Sequence, residues 1–377
     1  MAKNILIIGN GGREHALAWK IRNDGHRVEM KVGSIEELVE YGRGFDLTIV
    51  GPDQYLADGV VDRFEEAGLR AFGSTQKMAQ IEASKAFAKD LMGELGIPTA
   101  KRYTTIPSVP IVIKKSGLAL GKGVTVARTM EEAQRALASI TDDEVVIEEY
   151  LEGVEISAHA FCDGKTFKMF PTAQDHKTIF DGDQGPNTGG MGVIAPVPNV
   201  VLGDVAEDIV SKIVKKLNYK GILYPGLMIT KDGPKVLEFN ARFGDPETQS
   251  YMRLLKTDLV EIVEHCIDGT LDQIEIEWHP GFVATVVMAS AGYPGAYEKG
   301  FEITGIEEAE KLPGVIVFPA GMTLHDSRYT TNGGRVLGVS ATGNSLREAL
   351  DRAYAGVGKI NFQGKQCRKD IGAKALS

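Results

Sequence analysis

Hydrophobic positions follow two rhythms in this chain, and the change from one to the other divides it. Near the start, the unbroken apolar run Ile5-Leu6-Ile7-Ile8 predicts a strand over Asn4–Ile8 that is buried on both faces. It runs into Gly9-Asn10-Gly11-Gly12 and then a helix from Arg13 to about Ile21. Ile35–Tyr41 has helical spacing, and Asp46–Val50 is a second apolar strand ending in Gly51-Pro52-Asp53. Val60–Ala67 reads as a helix and Arg70–Gly73 as a short strand. Strand and helix in turn predict a small parallel α/β unit that ends near Ile81.

Beyond it the strands begin to follow one another directly. Ser84–Leu95 is a helix stopped by Gly96 and Pro98, and Thr104–Pro110 is a linker. Strands at Ile111–Lys115 and Val124–Ala127, a helix at Met130–Ser139 and a strand at Glu144–Tyr150 predict an α+β module from about 111 to 175. A loop-rich stretch, Phe180–Gly192, precedes a helix at Val205–Leu217 and a strand at Tyr224–Thr230. After Trp278-His279-Pro280 come strands at Ala284–Ala289, Val315–Phe318 and Arg335–Ser340, with Asn332-Gly333-Gly334 as a turn. Ser345–Tyr354 is a helix, with Ser345 as N-cap and Glu348 as capping-box partner. The pattern predicts an α/β and α+β multidomain chain with parts at 1–82, 83–280 and 281–377.

One stretch breaks the usual balance of a half-buried strand. In Val236-Leu237-Glu238-Phe239-Asn240-Ala241-Arg242, alternation sends Leu237 and Phe239 to one face and Glu238, Asn240 and Arg242 to the other. A carboxylate and an amide oxygen suit a hard cation such as Mg²⁺. A guanidinium suits a phosphate or carboxylate. The row has the chemistry of a floor where a metal–nucleotide meets an anionic substrate.

Composition narrows the class. A chain of 377 residues exceeds one ordinary core, and 43% hydrophobic with 25% charged residues is the balance of a soluble globular protein. The formal charge of −9 argues against a broad nucleic-acid or anionic-membrane surface. Cys162, Cys266 and Cys367 lie far apart, which argues against a disulfide framework or a zinc site and points to a reducing, cytoplasmic setting. The Ile5–Ile8 run is too short for a signal sequence or a membrane span.

The remaining motifs are weaker singly. Gly117-Leu118-Ala119-Leu120-Gly121-Lys122-Gly123 joins two strands, and glycines let backbone N–H groups approach phosphate oxygens. It is not a P-loop, because Gly123 stands where Ser or Thr should follow Lys122 and a strand comes next. A plain mobile hairpin is the alternative. Lys114 and Lys85 are candidate phosphate ligands, or solvated lysines. Val145–Leu151 leads through Gly153 to Glu155, an adenine hinge and ribose acceptor or simply a solvated acidic stretch. Gln174-Asp175-His176-Lys177 and the glycine-rich Gly185–Gly192 bracket a loop, with His176 and Lys177 as candidate phosphate donors. Gly9–His15 opens a helix and is a good anion site, but Glu14 stands where a dinucleotide fingerprint needs its third Gly.

Together these segments resemble the phosphoribosylamine–glycine ligase (glycinamide ribonucleotide synthetase) family of ATP-grasp enzymes. The resemblance spans nearly the whole chain. It rests on Gly9–His15, Val50-Gly51-Pro52, Ser84-Lys85-Ala86-Phe87, Val112–Val124, Asp175-His176-Lys177, Gly185–Gly192, Glu238–Glu247, Asn332–Leu337 and Cys367–Gly372. It implies a parallel α/β N-terminal domain, an ATP-grasp domain whose 111–175 module is a lid, and a C-terminal α+β domain. It also implies ATP and Mg²⁺ (or Mn²⁺), glycine activated as glycyl phosphate, and 5-phosphoribosylamine as acceptor, giving glycinamide ribonucleotide, ADP and phosphate in purine biosynthesis. Under it, Glu238 and Asn240 ligate the metal. Lys85, Lys114, His176, Lys177, Gly117, Gly121 and Gly123 hold the phosphates. Glu148, Glu149, Tyr150 and Leu151 meet adenine, and Glu155 ribose. Arg242, Lys114 and Asp175 serve the transfer at glycine. Gly9, Asn10, Gly11, Gly12, Gly51 and Pro52 lie near the amine substrate, and Thr188, Gly189 and Gly190 bind substrate. A monomer or weak homodimer without nucleic-acid or membrane partners is expected.

The sequence departs from the family pattern in places. Lys115-Ser116 replaces Ala-Asp, and Asp53 stands where Glu is expected. Only Lys20 to Phe45 separates the first helix from the second long strand, so Val28–Val32 is all that stands for a further strand and a Pro-Gly-Asn-Ala-Gly-like loop. The shortening keeps open a ligase for another amine or carboxylate. A nicotinamide-dependent oxidoreductase and a nucleotide-binding module without catalysis are the other readings.

Overall fold

The computed structural model describes residues 1–377 apart from 120–122, 142–143, 201, 327 and 377. Its first unit is a parallel four-stranded sheet in the order Arg27–Lys31, Asn4–Ile8, Leu47–Val50, Ala71–Phe72. Ile5 to Ile8 are fully buried, as a strand sandwiched between helices requires. Helix Gly12–Asn23 covers one face, and helix Ile35–Gly42 begins with a reciprocal capping box between Ser34 and Glu37. Only Val32 to Ser34 separate strand Arg27–Lys31 from that helix, so the strand stays at the open edge of the sheet.

Two antiparallel sheets follow. One has the order Arg102–Tyr103, Val145–Glu149, Ile111–Lys115, Val124–Ala127, backed by helix Met130–Ser139 with Thr129 as N-cap. The other runs Phe167–Met169, Ala160–Asp163, Lys220–Thr230, Gly233–Asn240, and Val154–Ser157 also pairs with Lys220–Thr230. The module read over 111–175 is therefore narrower as a sheet. Strands after Gly153 leave it and pair with the strand that neighbours the Glu238 row, since each strand must satisfy its backbone groups in one ladder or another.

The last sheet crosses the expected boundary at 280. Its order is Gln174–Asp175, Gly192–Ala195, Phe282–Ser290, Arg335–Gly343, Val315–Pro319, with Lys365–Gln366 on Phe282–Ser290. Two strands from the middle of the chain are thus structural members of the C-terminal part. Ile194 packs in one core cluster with Val286, Val339 and Leu350. Helix Leu346–Lys359 covers the sheet; Ser345 accepts from Glu348 N, while the Glu348 carboxylate reaches back to Asn344 N. The turn Asn332–Gly334 links strands of two different sheets. Among the described residues no helix is long and apolar enough to cross a membrane.

Candidate active site

The strand Gly233–Asn240 contains a bulge. Gly226 faces Glu238 but Leu227 faces Val236, so Leu237 is the extra residue. Alternation is broken there. Val236, Phe239 and Ala241 join the core, Phe239 also touching the cavity, while Leu237 lines the cavity together with Glu238, Asn240 and Arg242. The expectation that Leu237 shares a face with Phe239 is corrected by that one residue.

The row floors a cavity of about 600 Å³ between the two antiparallel sheets and the C-terminal part. Lys85, Lys114, Gly123, Glu148, Glu149, Tyr150, Leu151, Glu155, Asp175, Lys177, Thr188 and Gly189 line it too. Gly117 lies beside it, its carbonyl accepting from Lys85 Nζ at 3.0 Å. Gly121, like Lys122, lies outside the described residues.

At one end Lys114 Nζ reaches across to the carbonyl of Leu237 at 2.9 Å and to Glu148 at 2.6 Å. Lys89 holds the other Glu148 oxygen at 2.7 Å. Burial alone would raise the Glu148 pKa, but the two ammonium groups bring it below the usual carboxylate range. The Glu148 side chain is therefore a counter-charge for two lysines.

The middle holds crowded carboxylates. Lys177 lies 3.0 Å from Asp175 and 3.6 Å from Glu155. Burial pushes Asp175 up to about 7 and also raises Glu155. Burial would lower Lys177, but Tyr224, Asp175, Glu155 and Glu247 outweigh it and keep the amine protonated. Tyr224 donates to Glu247 at 2.6 Å. Arg242 meets Glu82 at 2.9 Å and donates to Asn240 Oδ1 at 3.0 Å, and its buried Nε has no partner among the described residues.

The far end is built by the C-terminal part. Arg335 donates to the carbonyls of Gly189 at 2.6 Å and Asp245 at 2.8 Å and pairs with the Asp245 carboxylate at 3.0 Å. Tyr293 accepts from Gly189 N at 3.0 Å. Tyr293, Tyr297, Arg335 and Arg13 complete this wall.

Other expected residues stand elsewhere. The His176 ring faces away from the cavity: Nδ1 donates to Gly192 O at 3.1 Å and Nε2 accepts from Gly372 N at 3.0 Å. Burial lowers its pKa to about 4. Gly9, Asn10, Gly11, Gly12, Gly51, Pro52 and Gly190 are also not on the cavity wall. The buried Glu14 carboxylate takes Gly11 N at 2.6 Å and Arg13 Nε at 2.6 Å. A Cβ on Gly9 would come within 2.8 Å of Glu14, and one on Gly51 would collide with it. These glycines make room for an internal carboxylate.

Sequence reasoning gave no role to Glu82, Tyr224, Glu247, Tyr293 or Arg335. Glu247 and Arg335 did lie inside quoted motifs, but only the tertiary fold brings Arg335 to Gly189.

Comparison with known proteins agrees with this architecture. Residues 83–248 match the family model "Phosphoribosylglycinamide synthetase, ATP-grasp (A) domain", residues 283–374 the corresponding C domain and residues 22–82 the N domain. The chain is 45% identical to phosphoribosylamine–glycine ligase of Halalkalibacterium halodurans, covering 99% of this chain and 97% of that protein. That alignment runs over 421 residues, so the relative carries segments that this chain lacks. A trifunctional purine biosynthetic protein of Gallus gallus is 44% identical over 100% of this chain, which spans 43% of that protein. The crystal structure of phosphoribosylamine–glycine ligase from Thermotoga maritima superposes with a TM-score of 0.86 at 34% identity, covering 98% of this chain and 100% of that one. The chain belongs to the phosphoribosylglycinamide synthetase family, whose N, ATP-grasp and C domains it carries in order.

Proposed function

We propose that this chain joins glycine to the amine of 5-phosphoribosylamine at the expense of ATP, through glycyl phosphate, as a cytoplasmic enzyme of purine biosynthesis. The names of its relatives support the reaction. The observation that carries it is the Glu238–Asn240–Arg242 row, which floors one cavity between the lysine end and the Arg335 end.

The nucleotide lies between the two antiparallel sheets, with Leu237 and Glu149–Leu151 at the base and Glu155 at the ribose. Lys85, Lys114 and Lys177 hold its phosphates. Arg242, on the cavity wall, serves the glycine carboxylate or the migrating phosphoryl group. A glycine carboxylate oxygen attacks the γ-phosphorus and ADP leaves. The amine then attacks the acyl carbon, the acyl C–O bond breaks and phosphate leaves. Positioning and charge neutralisation supply most of the rate. Asp175, held near 7, has the proton affinity of a group that exchanges protons at neutral pH.

The residues fit Mg²⁺. Glu238 offers a carboxylate and Asn240 an amide oxygen that also accepts from Arg242, and burial together with neighbouring carboxylates raises the proton affinity of Glu82, Glu155 and Asp175 around them. Among the described residues no three His, Cys, Asp or Glu group to hold a metal, so phosphate oxygens and water complete the shell. Bound there, the ion would neutralise charge on the phosphates during transfer.

ADP release measured with glycine, with and without freshly made phosphoribosylamine, tests the reading. Turnover that requires both substrates is expected. ADP release that ignores glycine but answers to another carboxylate would sink it. Glycine-dependent release with an amine other than phosphoribosylamine would favour the second reading, which the open-edged first sheet supports.

A further inference from the structure

The segment Cys367–Gly372 was quoted as a motif, yet none of it lines the cavity. It holds Arg368, the largest fully buried side chain among the described residues, at 1% exposure. Burying a guanidinium is costly unless every donor is met. Here Nε and Nη2 grip Asp370 in a two-toothed pair at 2.8 Å each, Nη2 also meets Asp183 at 2.9 Å, and Nη1 donates to Thr178 Oγ1 at 2.8 Å.

Thr178 and Asp183 belong to the hairpin of Thr178–Phe180 and Gln184–Asn187, a sheet of only two strands. Such a hairpin has little stability of its own. Further bonds fix its tip to the same segment. Lys369 N donates to Asp181 at 2.7 Å, Gly182 N donates to Asp370 at 2.8 Å, and the Lys374 ammonium meets Asp183. The segment is in turn anchored to helix Leu346–Lys359. Tyr354 donates to Arg368 O at 3.1 Å and accepts from Ile371 N at 3.0 Å. The hairpin's second strand ends at Asn187, and Asn187, Thr188 and Gly189 line the same cavity as Arg242, with Gly189 bonded to Tyr293.

We propose that Arg368 is a positioning residue for the acceptor end of the site: through Asp183 and Thr178 it sets the hairpin, and so the Asn187–Gly189 wall that receives the amine substrate. This rests on the function proposed above. Lys85 and Lys114 sit on other elements; Lys177 adjoins Thr178 and its carbonyl accepts from Thr188, but its ammonium is held by Asp175 and Glu155 and not by the clasp, so acceptor binding and acyl-phosphate formation should separate.

Two assays on Arg368→Gln and Arg368→Lys test it. Hydroxylamine traps glycyl phosphate as the hydroxamate with phosphate leaving, and so reads the first half-reaction with ATP and glycine alone. Steady-state kinetics read KM for phosphoribosylamine. For Arg368→Gln we expect that KM to rise roughly tenfold, the scale of a displaced substrate wall, with hydroxamate formation and KM for ATP within about twofold. Arg368→Lys, which keeps one ion pair but no fork, should fall between. If Arg368→Gln does not fold, Asp183→Asn replaces it, since Arg368 then keeps Asp370; an increase of about threefold is expected. An unchanged KM for the amine in the folded variants overturns the proposal, as does an equal loss in both assays. Absence of glycine hydroxamate from the unaltered chain would instead overturn the function itself.

Discussion

At the scale of single residues, Glu238 is the clearest point of decision. It makes no hydrogen bond or ion pair with another described side chain, and its charge adds to the raised proton affinity of Glu82 and Glu155. Glu238→Gln therefore removes repulsion along with a metal oxygen. The Mg²⁺ concentration for half-maximal activity should rise at least about tenfold while the thermal midpoint stays level or rises slightly, since no stabilising contact is lost. Normal activity at the usual Mg²⁺ concentration would refute the metal assignment. Glu238, Asn240 and Arg242 were legible because strand periodicity and side-chain chemistry coincide within seven residues. The internal partners of Glu14, His176 and Glu148 were not legible. Each binds groups inside the protein, and only tertiary contacts reveal whether a donor faces a ligand or a backbone.

At the scale of elements, the apolar run of the first strand, the helix cap at Ser345 and the strands around the glycine-rich loop follow from local pattern, and the structure has them within a residue or two. The bulge at Leu237 does not follow, because an added residue leaves no mark on composition. It has a direct test. Val236 is fully buried in the core, so Val236→Ala should cost roughly 1–3 kcal/mol in chemical unfolding and leave KM for ATP alone. Leu237→Ala should do the reverse, raising KM for ATP severalfold with a smaller loss of stability, because its side chain faces the cavity. Were the two variants to exchange these effects, the register through the bulge would be wrong. Sheet membership was equally hidden. Strands at 154–163 read as part of a lid but pair across to Lys220–Thr230, a choice made by long-range hydrogen bonding.

At the scale of the whole molecule, sheet membership does not follow chain order. Sequence order places Gln174–Asp175 and Gly192–Ala195 in the middle part, whereas pairing places them beside Phe282–Ser290. The consequence concerns what a gene can be cut into. Severed after residue 280, the distal piece would present an unpaired strand and a core lacking Ile194, and the proximal piece two strands without their sheet. We expect 281–377 expressed alone to lack cooperative unfolding and to regain it when co-expressed with 1–280; a distal piece that melts cooperatively by itself would refute this. Lineages can lengthen such a chain or fuse it to others, but the last domain cannot travel alone to a new protein without two strands borrowed from its neighbour.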